Sequence, residues 1–295
     1  MLAAMCGALF PSEQGRLRVS VVVIGDEILS GFVQDTNSGW IAQRLATLGV
    51  PLDRVATVPD QLEAIGEALR IELDRPRPRV VITSGGIGST PDDLTLAAVA
   101  AELGMQMRVE PSIDARITET LVWTAAQGMR VSASHDRSMR KMARVPHEAF
   151  VLPGADGVAP GVAVNVGGGA ADAGGASIVV LPGVPAELRR IMIQGVEPTF
   201  LEGRGIPLHV VEISHSYPES ALNPVLDEIV RDFPDVLLGS YPGSECLIRL
   251  RGREERAEAA AALVRGFLAQ LEGSEGANRI QQRWRERWDE RMRSI

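Results

Sequence analysis

The sequence predicts a doubly wound α/β domain with a mostly parallel sheet, followed by a small α+β domain. Three observations carry this. From about residue 18, apolar β-branched runs alternate with amphipathic helical stretches, the rhythm of a parallel sheet covered by helices on both faces. Early runs such as 18–24 (RVSVVVI) and 79–83 (RVVIT) lack polar alternation, as strands buried on both faces do. Composition then breaks at 202–207 (EGRGIP), and the order beyond it becomes β-α-β-β-α. The expected layout is a disordered tail over 1–16, an α/β domain over 17–203, a small α+β domain over 204–273, and an Arg/Trp-rich helix or tail over 274–295.

Each element has a local reason. After the first strand, 38–48 (SGWIAQRLATL) reads as a helix capped by Asn37 or Ser38, with Gly49 where a left-handed residue belongs. A strand over 52–58, a helix over 61–73 and the strand 79–83 follow. A helix over 92–103 closes on Gly104, a short strand covers 106–109, and Pro111 opens a long helix to about Gln127. Two β runs, 162–166 and 177–181, flank 167–176 (GGGAADAGGA), which reads as a flexible hairpin tip. A helix over 185–201 completes the first domain. In the second, strands at 208–214, 236–240 and 245–251 combine with helices at 219–232 and 254–271. In 276–295, Ile280, Trp284, Trp288 and Met292 recur every four residues, along one helix face. That face is expected to pack on its own protein or a twin subunit. RNA or membrane contact is disfavoured, because three acidic residues offset the six arginines.

Composition excludes several classes. A net charge of −8 argues against a nucleic-acid binder by bulk electrostatics, and 45% hydrophobic residues supply an ample core. Two cysteines, Cys6 and Cys246, build neither a disulfide framework nor a zinc ribbon. The apolar start MLAAMCGALF is too short to span a bilayer and lacks a signal peptide's basic start. A cytoplasmic protein with no membrane contact is expected. The four histidines are scattered, and no nucleophile elbow is present.

Chemistry concentrates at strand ends. Ser84-Gly85-Gly86-Ile87-Gly88-Ser89-Thr90-Pro91-Asp92-Asp93 follows a buried strand. Its glycines let a ligand approach backbone N–H groups without a Cβ in the way. Thr90 as N-cap, Pro91 at N1 and Asp93 at N3 would start the helix, whose positive end favours phosphate. Asp92 and Asp93 either cap that helix or serve a site. An anion docking beside them would be repelled unless a divalent cation bridged the two, as Mg²⁺ does between carboxylates and phosphates. The loop lacks the Gly-Lys-Ser/Thr of a P-loop and the third glycine of a dinucleotide fingerprint. A second loop carries Asp26, Glu27, Asp35 and Asn37, a third Gly183, and Arg140 with Lys141 could neutralise a phosphate.

Together GDEILSGFVQDTN (25–37), SGGIGSTPDDLT (84–95), RKMARVP (140–146), APGVAV (159–164) and LPGVPAEL (181–188) resemble the molybdopterin-binding domain family. The similarity is closest to the N-terminal part of competence/damage-inducible protein A (CinA), related to the N-terminal domain of bifunctional FAD synthases. The segment ESALNPVLDEIV…VLLGSYP (219–242) looks like that family's small domain. Ser84 and Asp26 stand where Thr is usual. The resemblance implies Gly85, Gly86 and Gly88 as the phosphate cradle, with Glu27, Asp35 and Asn37 on the loop facing it, and Ser84, Ser89, Thr90 and Gly183 are expected among the ligand-binding residues. It implies Asp92 and Asp93 as the acidic pair beside the cradle, and with Glu27 these are the expected catalytic residues and ligands of a divalent metal (Mg, Mn or Co). Full-length CinA continues into an amidohydrolase domain that deamidates nicotinamide mononucleotide, an activity not expected here. The expected function is a metal-dependent pyrophosphatase on an ADP-ribose- or FAD-like nucleotide. The alternatives are a molybdopterin-binding protein of molybdenum-cofactor assembly and a non-catalytic ligand-binding module. A homo-oligomer is expected.

Overall fold

The computed structural model describes residues 16–167 and 174–293. The expected tail over 1–16 falls outside it except for Arg16, as does most of the 167–176 insert. Two compact units result, one reaching Pro207 and the other starting at Leu208.

The first unit is built on a six-stranded sheet in the order β2-β1-β3-β8-β7-β6. Its strands are β1 (Arg18–Ile24), β2 (Leu52–Val58), β3 (Arg79–Ser84), β6 (Phe150–Val151), β7 (Val162–Val166) and β8 (Ala176–Leu181). β1 pairs in parallel with β2 and β3, and β3 in parallel with β8, while β7 pairs antiparallel with β8 and with the edge strand β6. Strand side chains alternate between faces, so one sheet feeds two cores. Val22, Ile24, Val81, Ile178 and Val180 face one way. There they meet α3 (Leu62–Leu73), α4 (Thr95–Glu102) and α5 (Pro111–Ala126). Val21, Val23, Val80, Ile82 and Val179 face the other way, against Ile41 and Leu45 of α2 (Asn37–Leu48) and Leu188 and Ile191 of α7 (Pro185–Ile191). The short α1 (Asp26–Leu29) follows β1.

Several expectations need correction. The helix expected at 92–103 begins only at Thr95. Thr90 uses both its N–H and its hydroxyl on Asp93 Oδ2, at 2.8 and 2.7 Å, and so closes a turn in place of a helix cap. Neither Asn37 nor Ser38 caps α2. Asp35 Oδ1 accepts both of their N–H groups, at 2.9 and 3.1 Å, which frees the Asn37 side chain. The segment before residue 146 holds α6 (Ala133–Lys141) and β5 (Arg144–Pro146), which pairs with β4 (Met107–Val109) in a separate two-stranded sheet. The helix expected at 185–201 widens to π form over Met192–Leu201. Pro198 inside that stretch has no N–H to donate to the preceding turn.

The second unit is an antiparallel sheet in the order β10-β11-β9, from β9 (His209–His215), β10 (Leu237–Tyr241) and β11 (Cys246–Gly252). Strict alternation in β11, with Cys246, Ile248 and Leu250 buried, marks a sheet covered on one face. The cover is α8 (Asn223–Asp232), entered through a 3₁₀ turn at Glu219–Leu222, and α9 (Glu254–Glu272). The C-terminal segment is a helix, α10 (Glu275–Arg293). Its tryptophans are half-buried, and Trp284 and Trp288 stack on each other with ring centroids 5.6 Å apart. Ile280 of the same stripe is 53% exposed. Among the described residues, no helix is long and apolar enough to cross a membrane.

Candidate functional site

The carboxyl ends of β1, β3 and β8 lie side by side at the centre of the sheet, which brings three loops together. In such sheets this is where ligands bind. Gly85 and Gly86 turn with φ of 103° and 65°. A Cβ on Gly85 would stand 2.3 Å from the Ile24 carbonyl oxygen, and one on Gly86 2.4 Å from Thr95 Oγ1. The loop is thus pressed against the end of β1 and the start of α4, where Thr95 donates its hydroxyl to Gly85 O at 2.9 Å and its N–H to Gly86 O at 3.0 Å. Among the described residues, the N–H groups of Gly86, Ile87, Gly88 and Ser89 donate to no protein acceptor. Four adjacent N–H groups without a protein acceptor are left for solvent or a ligand.

Asn37 binds the three loops into one piece. It is 7% exposed, and its amide donates to Ser84 Oγ at 3.1 Å and to Gly183 O at 2.8 Å. Its Oδ1 is buried without a protein partner. Asp35 does not face the ligand as an open carboxylate, since both oxygens serve the start of α2 through Asn37 and Ser38.

Beside the loop is a cavity of about 270 Å³, with Gly86, Gly88, Asp93 and Leu96 on one side and Lys141, Met142 and Arg144 on the other. Lys141 Nζ donates to the carbonyl oxygens of Thr90 and Pro91, so it holds the loop from the outer side. Arg140 turns away to Asp114 at 2.7 Å and to Asp136. The expected basic pair is therefore divided, with only Lys141 at the site.

The acidic residues gather on the rim. Asp60, which the sequence reading missed, accepts the Asp26 N–H at 2.9 Å. Burial pushes its carboxyl above the ordinary value, and the charges of Glu27, Asp26 and Asp92 add to that against the opposing Asp26 hydrogen bond. Asp92 moves the other way, chiefly through the Thr90 hydroxyl, then its own backbone N–H and Lys141. Asp93 is occupied by Thr90. Among the described residues, no three His, Cys, Asp or Glu side chains stand close enough to hold a metal ion by themselves. The one signal for Asp60 lay in its position, two residues past the end of a parallel strand.

A mostly parallel sheet of this order, with its loops gathered at the carboxyl ends of the central strands, defines a class of α/β domains. Within that class, the family described as "Probable molybdopterin binding domain" matches residues 20–202, and the chain belongs to it. A protein of Aeropyrum pernix is 36% identical over 273 residues, covering 87% of this chain and 96% of its own. A CinA-like protein of Gemmatimonas aurantiaca is 32% identical over 274 residues, 88% of this chain and 60% of that protein. The chain is therefore similar to a CinA-like protein over 60% of that protein's length. A Thermoplasma acidophilum CinA structure of unknown function is 29% identical, covering 61% of this chain and 96% of its own, with a TM-score of 0.49.

Proposed function

We propose that the chain binds a small phosphate-bearing pterin of the molybdopterin type, phosphate first, on the 84–89 loop. The row of free N–H groups beside a cavity that Lys141 and Arg144 border carries this reading. Family membership supports the ligand class. Titration of the protein with molybdopterin, followed by calorimetry, tests it. Absence of binding to the wild type, or binding unaffected by Gly88→Val, would remove the loop from the account. The setting proposed is the cytoplasm and the assembly a homo-oligomer, which light scattering on the purified protein checks.

The acidic rim favours a second reading, hydrolysis of a nucleotide pyrophosphate of the ADP-ribose or FAD kind. Asp92 and Glu27 would hold a divalent ion, with Asp93 more weakly because Thr90 occupies it. Magnesium sites commonly need only one or two carboxylates when substrate phosphates complete the shell, so the rim fits. Such an ion polarises a phosphoryl oxygen and lowers the pKa of water. Asp60, its proton affinity raised by burial, would be the residue to take a proton from the attacking water. Incubation with ADP-ribose and FAD, with and without Mg²⁺, Mn²⁺ or Co²⁺, decides the matter. If no metal supports turnover, the chain is a binding protein only.

A further inference from the structure

The glycine loop has a different neighbour on each side. The cavity of about 270 Å³ lies beside α4, which covers one face of the sheet. The segments that follow β1 and β8 lead instead into α2 and α7, which cover the other face. Those two segments carry four exposed large apolar side chains, Leu29, Phe32, Val33 and Val184. Phe32, 88% exposed, stands further into solvent than any other large apolar side chain among the described residues.

The backbone holds Phe32 there. Gly31 turns with φ 75° and donates its N–H to Ile28 O at 3.1 Å, while the Val33 N–H donates to Glu27 O at 3.0 Å. Phe32 therefore lies between two anchored residues. The start of its segment is tied to Asp60 through the Asp26 N–H, and the end is tied to Ser84 and Gly183 through Asn37. The ring thus projects from a fixed turn at the rim of the site. Apolar side chains scattered singly over a surface need no partner, but these four are gathered on the two segments that Asn37 joins.

We propose that Phe32 is a stacking platform for a planar heteroaromatic ring, carried by the ligand whose phosphate lies on the 84–89 loop. The inference rests on the phosphate-loop reading above and adds what the site selects, a phosphate that bears a ring. A pterin, flavin or purine settles on a phenyl face by offset stacking, which tolerates the identity of the ring because each presents a π-face. Such a ligand spans the site, with its ring on the α2 side, its phosphate at the loop and its remaining part towards the cavity.

Calorimetry of the full chain with molybdopterin and with FAD tests it, on the wild type and on Phe32→Ala, Phe32→Leu and Phe32→Trp. Leucine keeps apolar bulk without a π-face, and tryptophan enlarges that face. Phe32→Ala and Phe32→Leu should each weaken binding about tenfold, the scale of one ring stacked on an aromatic side chain. Phe32→Trp should bind at least as tightly as the wild type. All three should keep the wild-type urea midpoint, because the side chain is exposed. If the wild type binds neither ligand, the phosphate-loop reading falls and this inference with it. If the wild type binds one and Phe32→Leu binds it equally well, the stacking role alone is overturned. It is also overturned if light scattering shows that Phe32→Ala changes the oligomeric state of the ligand-free protein, since the ring then belongs to a contact between copies.

Discussion

The Asp60 carboxylate accepts the backbone N–H of Asp26 at 2.9 Å, so the loop that follows β2 is fastened to the loop that follows β1. A carboxylate placed there is half-buried among other acids. Its ionisation is opposed by desolvation first and by Glu27, Asp26 and Asp92 next.

Asp60→Asn should separate stability from function. A carboxyl whose pKa is higher folded than unfolded favours the fold most below its unfolded value, and loses that contribution as pH rises through the folded value. The asparagine oxygen can still accept the Asp26 N–H without bringing a charge. The variant should therefore melt above the wild type at neutral pH, with the difference vanishing in acid. If hydrolysis occurs, its rate should fall at least tenfold. Melting curves at several pH values, alongside the turnover assay, check both parts.

Asn37→Ala should both loosen the site and destabilise the first unit. It removes the donor to Ser84 and Gly183 and leaves Gly183 O short of a partner. The cost is about 1–3 kcal/mol for a buried polar group left unsatisfied, measurable as a lower urea midpoint. Ligand affinity should fall with it, since the three loops lose their common tie.

Gly85→Ala and Gly183→Ala form a matched pair. At Gly85 the backbone has φ 103° and the new Cβ meets the Ile24 carbonyl at 2.3 Å, so a cost of about 3 kcal/mol or more is expected. At Gly183 the nearest heavy atom would be 3.5 Å away, an ordinary contact, and the cost should stay below about 1 kcal/mol. Equal urea midpoints for the two variants would contradict the described loop geometry.

Arg79→Met tests the buried charges beneath the sheet. The Arg79 side chain is wholly buried, donates to Asp53 at 2.7 Å and to Ser20, and lies 3.7 Å from a Glu72 that is itself 1% exposed. Removing Arg79 leaves Asp53 with only Arg18 at 3.5 Å and Glu72 with Arg54 and Arg75 at 3.5 and 3.6 Å, longer pairs that compensate in part, at a cost of about 3 kcal/mol. Chemical denaturation should show it as one of the largest losses from any single substitution.

The glycine loop and the resemblance it carries were legible because they are local. Gly85, Gly86 and Gly88 are contiguous in sequence, and the strand before them announces itself by its apolar run. The same holds for the second unit, whose β-α-β-β-α order matches its strands and helices closely. What went wrong was also local, at places where a side chain chose between two nearby partners. Thr90 bonds to Asp93 and closes a turn, so α4 starts at Thr95 instead of at Pro91, where a capping pattern puts its first residue. Asp35 caps α2, so Asn37 is released to cross to β3 and β8.

By itself the sequence determined the alternation of buried strands and covering helices, since hydrophobic period and turn residues are properties of neighbours along the chain. Only the tertiary structure decided which carboxylates meet. Asp60 reaches Asp26 across 34 residues, and Asn37 reaches Gly183 across 146. Such pairings follow from the order β2-β1-β3-β8, which sets strands from distant segments side by side. The free N–H groups of the loop were foreseeable, whereas the acids that surround them depend on that strand order.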